Sequence, residues 1–280
     1  MSIGFRRINS GQSHSYQLAG EDVPGVTTIV GLLDKPALVG WAARETAAYA
    51  DEHWDRLALM RSADRIRELE RARFGTNQRA ILRGSRIHWM AEQMQHGYPI
   101  TDCPPELEPD VRAVAELLDR WKAVPVLTEA PVASLEHWYA GTVDAVMQAP
   151  GLPTAVWDWK TGRGVYDEVA LQLAAYARCD LRLEEVPQVG PRGGRRPSLW
   201  VERPMVELDD PARSYVVHVR DGVAALHPVD TDDDVFAAFR HLSEVWWLWH
   251  RRIAQRGNDW YQPTIHEPIY PEQRPEGIEE

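Results

Sequence analysis

The feature that most limits how this chain can fold is a β-rich block with helical patterns on both sides. Gln148 to Pro153 has a turn sequence, Gln-Ala-Pro-Gly-Leu-Pro, and joins the last two of three strand-like runs. A helical pattern follows from Glu168 to Leu183. This order predicts a sheet with helices packed on it, in an α/β or α+β fold. The three runs with strand-like β-branched and aromatic content are residues 124–134, 137–147 and 154–160.

Outside this block the chain is predicted to be mainly helical. Residues 16–30 end in Val-Thr-Thr-Ile-Val, which favours a strand, and Gly75-Thr-Asn is expected to end a helix. A further helix is predicted from Asn77 or Arg83 to Gln95. The Pro- and Glu-rich end is expected to be an irregular tail. Other predicted helices are 37–60, 61–74, 108–122 and 233–254, and other predicted strands are 199–208 and 215–219.

Composition limits the class of protein. The 280 residues are 44% hydrophobic and 26% charged, as in an ordinary globular protein. We expect a cytoplasmic protein that binds no membrane, since there is no long apolar run and no apolar core of a signal peptide. Cys103 and Cys179 are the two cysteines of the chain, and two thiolates cannot hold an iron–sulfur cluster or a four-cysteine zinc site.

The charge distribution leaves a nuclease possible. A net charge of −11 argues against a protein that coats nucleic acid nonspecifically, but the local field at a groove matters more for an enzyme. Eight arginines lie between Arg61 and Arg86 against three acidic residues. From charge alone, a solvated helix face with internal ion pairs is the favoured interpretation.

Two carboxylates and a lysine are predicted to lie together on adjacent strands. Side chains alternate along a strand, so Asp158 and Lys160 share a face, with Cα atoms about 7 Å apart. Asp144 on the preceding strand reaches the same place if the two strands pair. This set suits a hard cation such as Mg²⁺, with Lys160 orienting a water molecule or helping to deprotonate it. The plainer alternative is a weak ion pair on a surface strand.

Gln172 and Tyr176 follow on one face of the next helix, where a core-edge pair is the alternative to a functional role. Together, Gly141-x-x-Asp144, Asp158-x-Lys160 and Gln172-x-x-x-Tyr176 resemble the PD-(D/E)XK nucleases of the RecB-like exonuclease branch. This branch includes CRISPR-associated and phage recombination exonucleases. The resemblance covers residues 80–180.

The resemblance implies a restriction-endonuclease-like fold, with a central mixed sheet flanked by helices and an N-terminal helical region. It makes residues 1–280 one nuclease domain. Within it, we expect three parts: an N-terminal helical wall of a DNA channel (1–78), a catalytic core (79–230), and a closing helix with a tail (231–280).

The resemblance also implies one or two Mg²⁺ or Mn²⁺ ions and in-line attack of water on a phosphodiester. The ligands would be His88, Asp144, Asp158 and the backbone carbonyl of Trp159. Many relatives carry a four-cysteine cluster that this chain cannot form, so DNA handling must depend on other elements. DNA contact or support of the site is expected from Gln172, Tyr176, Arg83 and Arg86.

The roles of His88, Glu129 and Glu92 are open. His88 has Glu92 one turn further on, so its own chemistry fits a ligand and a surface His–Glu pair equally well. The resemblance favours the ligand. Glu129 is a possible further acidic group in the strand before Asp144, and Glu92 competes with it for that role.

The expected function is a metal-dependent DNA exonuclease of recombination, repair or phage replication that acts on linear or single-stranded ends. A recombination partner protein or a homo-oligomer is a possible assembly. Alternatives are a structure- or site-specific endonuclease and an inactive DNA-binding protein. A small-molecule enzyme with Asp144 and Asp158 as acid and base lacks a recognisable cofactor loop.

Overall fold

The computed structural model describes residues 2–10, 13–98, 100, 102–189 and 195–254, which form a mixed α/β structure. The strands are β1 (Arg6–Ser10), β2 (Ser13–Leu18), β3 (Glu21–Val23), β4 (Val124–Ser134), β5 (Tyr139–Ala149), β6 (Leu152–Lys160), β7 (Leu181–Val189), β8 (Arg195–Pro204), β9 (Arg213–Arg220) and β10 (Val223–Asp230). The helices are α1 (Val26–Val30), α2 (Pro36–Glu52), α3 (Trp54–Ala58), α4 (Ser62–Gln95), α5 (Glu108–Trp121), α6 (Glu168–Ala177) and α7 (Asp233–Ala254).

A seven-stranded mixed sheet forms the centre, in the order β10-β9-β6-β5-β4-β7-β8. Strands β4, β5 and β6 form an antiparallel meander, whereas β6 and β9 are parallel. Strands β1 to β3 form a separate antiparallel sheet. The predicted mixed sheet flanked by helices is therefore confirmed at this level.

Helices cover both faces of the large sheet because its central strands are apolar on both sides. Val156 of β6 belongs to the core cluster formed with α1, α6 and α7. Its neighbour Trp157 belongs to a second cluster, formed with α4 and α5. This alternation places Asp158 on the same side of the sheet as α6.

The predicted strand at Val26–Val30 is wrong, because this segment forms helix α1. Val26, Ile29 and Val30 are buried, at the i, i+3 and i+4 spacing of a helix face. They pack in the cluster that includes α6 and α7. Tertiary burial thus outweighs the low helix propensity of a β-branched run.

The predicted break at Gly75 is also wrong, since α4 continues from Ser62 to Gln95. A glycine inside a helix costs about 1 kcal/mol relative to alanine, which is too little to end a helix that packs elsewhere along its length. In contrast, the predicted helix over residues 37–60 is interrupted at His53, between α2 and α3.

The predicted helix from Glu168 to Leu183 ends early, at Ala177, and β7 begins at Leu181. Leu181 and Leu183 are buried and flank Arg182, so the segment has the period of a strand despite its helix-forming residues. Strand β10 was not predicted. The predicted strands at 124–160 and the helices α5 and α7 are confirmed.

The N-terminal region is not helical throughout, because β1 to β3 precede its helices. The predicted tail at 255–280 lies outside the described residues. Among the described helices, none is long and apolar enough to cross a bilayer.

A buried carboxylate joins three parts of the chain near the end of β6. Asp110 of α5 is 4% exposed, pairs with Arg83 of α4, and accepts a hydrogen bond from the backbone N–H of Gly222 at 2.8 Å. Arg83 also donates to the carbonyl oxygen of Thr161 at 3.1 Å. The segment after Lys160 is thereby held against α4 and α5.

Asp110→Ala is expected to destabilise the protein by about 2–4 kcal/mol, because it leaves the Arg83 guanidinium and the Gly222 N–H without their partner. The measurement is urea unfolding. The matched control is Glu108→Ala on the same helix, which removes an exposed pair with Arg112 and should cost under about 0.5 kcal/mol. Equal effects of the two substitutions would contradict a structural role for Asp110.

Candidate active site

An open cleft of about 780 Å³ lies where α4 passes over β4 and β5, with α6 and the small N-terminal sheet at its sides. Each of these elements contributes lining residues. His88 comes from α4, Glu129 from β4, Asp144 from β5 and Gln172 from α6. Residues far apart in the chain thus face a single space.

Three of these side chains form a group that can hold a metal ion. Ligand atoms of His88, Glu129 and Asp144 lie within 4.8 Å of one another. The Nδ1 atom of His88 is 3.5 Å from Oδ2 of Asp144, and this oxygen accepts a hydrogen bond from the Trp159 N–H at 2.9 Å. The two carboxylates supply oxygen ligands, which Mg²⁺ and Mn²⁺ prefer, and the imidazole supplies one nitrogen.

Glu129 reaches this group from an unusual backbone. Thr128 pairs with Ala145 and Ala130 pairs with Val143, so Glu129 stands opposite Asp144. Its φ is 43°, in the left-handed region that costs a non-glycine residue about 1 kcal/mol or more. Burial, with Asp144 and Glu92 nearby, raises the pKa of Glu129 to about 8. The strand therefore holds an acidic group where its charged form is unfavourable.

A second network lies beside the first. Lys160 Nζ is 2.6 Å from Asp158 Oδ2, and Asp158 is 1% exposed. Gln172 joins both groups, because its Nε2 donates to Asp158 Oδ1 at 2.9 Å and its Oε1 accepts from Lys160 Nζ at 3.3 Å. The structure thus brings the Asp-x-Lys pair and α6 into contact.

The electrostatics of this network favour a charged lysine. Burial and the nearby Asp144 raise the pKa of the Asp158 carboxyl, although Lys160 opposes this shift. Burial alone would lower the pKa of Lys160, but Asp158 and Asp144 outweigh it and raise the pKa above its ordinary value. Lys160 is therefore protonated at neutral pH, is held in place by Asp158, and can donate hydrogen bonds.

Two predicted ligands are not part of the three-residue group. The oxygens of Asp158 face Lys160 and Gln172, so its role as a ligand stays a prediction. The Trp159 side chain is buried in the core with α4 and α5, and its N–H orients Asp144. A role for the Trp159 carbonyl also stays a prediction.

Tyr176 lines the cleft and packs against β5. It is 3% exposed, and a Cβ on Gly141 would lie only 2.5 Å from its Cε1. The first glycine of Gly-x-x-Asp is thus the residue that lets β5 pass close to the Tyr176 ring. The alternative interpretation of Tyr176, a core-edge residue, describes this packing.

The predicted arginines have different surroundings. Arg83 pairs with Asp110 and binds the Thr161 carbonyl, so it supports the end of β6 rather than offering a free charge to DNA. Arg86 is exposed on α4, and contact with DNA stays a prediction. Glu92 lines the cleft outside the three-residue group, so Glu129 is the better-placed acidic residue.

One wall of the cleft was not predicted from the sequence. Arg7, His14 and Tyr16 of the small sheet line it, and Tyr16 Oη is 2.8 Å from Thr142 Oγ1. No local motif marks these residues. Their position depends on the packing of β2 against β5, which a single sequence does not reveal.

Gly141→Ala is expected to destabilise the protein by about 1–3 kcal/mol, because its methyl group would overlap the buried Tyr176 ring. Thermal unfolding measures the effect. Gly164→Ala is the control, since a Cβ there meets no atom within 4 Å. If Gly141→Ala behaves like Gly164→Ala, the tight contact is not present.

In the presence of a metal chelator, the free energy of unfolding of the protein should fall as the pH rises from about 5 to 8. In the native state the pKa of Glu129 is about 8, whereas in the unfolded state it is near 4.5. The native state therefore holds a proton that the unfolded state has lost between these pH values, and the stability that this difference gives at low pH is lost as the pH rises. Glu129→Gln cannot ionise and should flatten the profile. Urea unfolding across this pH range measures the profile. Glu136→Gln is the control, because the Glu136 side chain is 82% exposed. Parallel curves for Glu129→Gln and the wild type would contradict the shifted pKa.

Comparison with models of known protein families gives no match for this chain, and comparison with curated proteins gives none. Membership of the PD-(D/E)XK nucleases therefore stays a prediction from the motifs. The function of this chain is therefore inferred from the geometry of the cleft and from the chemistry of its residues.

Proposed function

We propose that this protein is a metal-dependent deoxyribonuclease that acts as an exonuclease on DNA ends. The observation that carries the proposal is that two groups lie next to each other, one lining the open cleft and the other adjoining it through Gln172, which also lines the cleft. The first group is the donor set of His88, Glu129 and Asp144. The second is the Asp158–Lys160 pair, joined by Gln172.

These two groups match the needs of phosphodiester hydrolysis. His88, Glu129 and Asp144 would bind the ion, with Asp144 oriented by the Trp159 N–H. A bound Mg²⁺ or Mn²⁺ ion supplies Lewis acidity to the phosphate and lowers the pKa of a coordinated water. Lys160 would donate a hydrogen bond to the attacking water or to the phosphate oxygens, where negative charge develops.

Asp158 and Gln172 have supporting roles in this scheme. Asp158 keeps Lys160 protonated and in place, and Gln172 fixes the distance between them through a bond to each. A bound divalent ion would add positive charge and so favour ionised Asp158 and Glu129. Ionisation of these carboxylates is costly without a nearby cation, and the metal would stabilise their charged forms.

Incubation of the protein with linear and covalently closed circular DNA in Mg²⁺ or Mn²⁺ tests the proposal. An exonuclease should release nucleotides from the linear DNA and leave the closed circle intact, with no activity in a chelator. Cutting of the circle would favour the endonuclease. Failure to cut either DNA with either metal would contradict the proposed function.

Lys160→Ala should reduce the cleavage rate at least about 100-fold, because it removes the cation placed to stabilise the transition state. Release of labelled nucleotide from linear DNA measures the rate, and circular dichroism checks the fold. Lys122→Ala is the control, since Lys122 lies on the surface beside Asp119. A Lys160→Ala protein that folds and cuts at nearly the normal rate would remove Lys160 from the mechanism.

A further inference from the structure

Two of the side chains that line the cleft, Trp89 and Arg7, are given no role by the proposed chemistry. Trp89 follows His88 on α4, and Arg7 lies on β1 of the small sheet. Both line the same space as the candidate metal ligands. Their chemistry differs from that of the ligands, because one is a large aromatic ring and the other a permanent cation.

Trp89 is 51% exposed, whereas Ile87 and Met90 beside it are buried. It belongs to the face of α4 that lines the cleft, together with Gly84 and Ser85 one turn earlier. Much of the ring thus remains open to a ligand in the cleft.

Arg7 is the one arginine or lysine among the described residues that line the cleft. Its Nε atom is buried, and among the described residues none accepts a hydrogen bond from it. The acidic lining residues are Glu92, Glu129 and Asp144. A polyanion that enters this cleft therefore meets Arg7 as its fixed cation, apart from any metal ion.

We propose that Trp89 and Arg7 form a nucleotide subsite next to the metal centre, in which the indole stacks on a base and the guanidinium binds a backbone phosphate. This inference rests on the proposed nuclease function and adds to it the form of the substrate. Aromatic rings bind bases of any sequence, since every base has a π-face, and arginine matches phosphate geometry.

The subsite requires an unpaired nucleotide. Inside a duplex, both faces of each base are covered by neighbouring bases, so the Trp89 ring can stack only on a base that has left the helix or is at an end. The cleft volume of about 780 Å³ lies within the range of sites that take one small ligand. The protein should accordingly engage single-stranded or frayed DNA.

Binding of a phosphorothioate oligo-dT, which resists cleavage, tests the aromatic part. Trp89→Ala should weaken binding roughly 10- to 100-fold, and Trp89→Phe should retain most of the affinity. Trp200→Ala is the matched control, because Trp200 is 48% exposed but lies on β8, away from the cleft. The affinity of the control should equal that of the wild type.

The salt dependence of binding tests Arg7. Arg7→Gln should weaken binding and reduce the slope of log K against log salt concentration by about 0.7, the value for one phosphate contact on a single strand. Arg6→Gln is the control, since Arg6 does not line the cleft; it lines a neighbouring groove that Arg7 also borders. Its slope should match that of the wild type.

Some outcomes separate the subsite from the proposed function. If the wild type cuts DNA but Trp89→Ala binds oligo-dT as tightly as Trp200→Ala does, the subsite is wrong and the nuclease function stands. A wild type that binds blunt duplex as tightly as oligo-dT also overturns the subsite. If the wild type neither cuts nor binds any DNA, the proposed function fails, and the subsite fails with it.

Discussion

The burial of neighbouring carboxylates is the constraint on which the rest of the site depends. Glu129, Asp144 and Asp158 come from three adjacent strands, and burial together with the nearby Asp144 raises the pKa of both Glu129 and Asp158. Lys160 opposes this shift at Asp158. At the other end, His88 and the Trp159 N–H face Asp144. A divalent cation among these groups would favour their ionised forms.

The scaffold around this site explains why its residues are spread along the chain. The meander of β4, β5 and β6 supplies the acidic groups, and two helices on opposite faces of the sheet complete the set with His88 and Gln172. Arg83 and Asp110 fix the chain just after Lys160. Gly141 lets β5 approach Tyr176 closely enough to keep Asp144 in register.

The parts predictable from sequence are those with local signals. Strand alternation placed Asp158 and Lys160 on one face, and helical spacing placed Gln172 and Tyr176 on one face of α6, as observed. Tertiary packing decided what local patterns could not. It made Val26–Val30 a helix, ended α6 at Ala177 and brought the small sheet to the cleft. The left-handed backbone at Glu129 has no sequence signature either, since its neighbours read as an ordinary strand.

The proposed function depends most on the binding of a divalent cation by His88, Glu129 and Asp144. Isothermal titration of the metal-free protein with Mn²⁺ measures this binding, with Asp144→Asn as the comparison. We expect saturable binding to the wild type and affinity at least about 10-fold weaker in the variant, because Asn offers a neutral ligand. Absence of saturable binding, or equal affinity in the two proteins, would contradict this expectation.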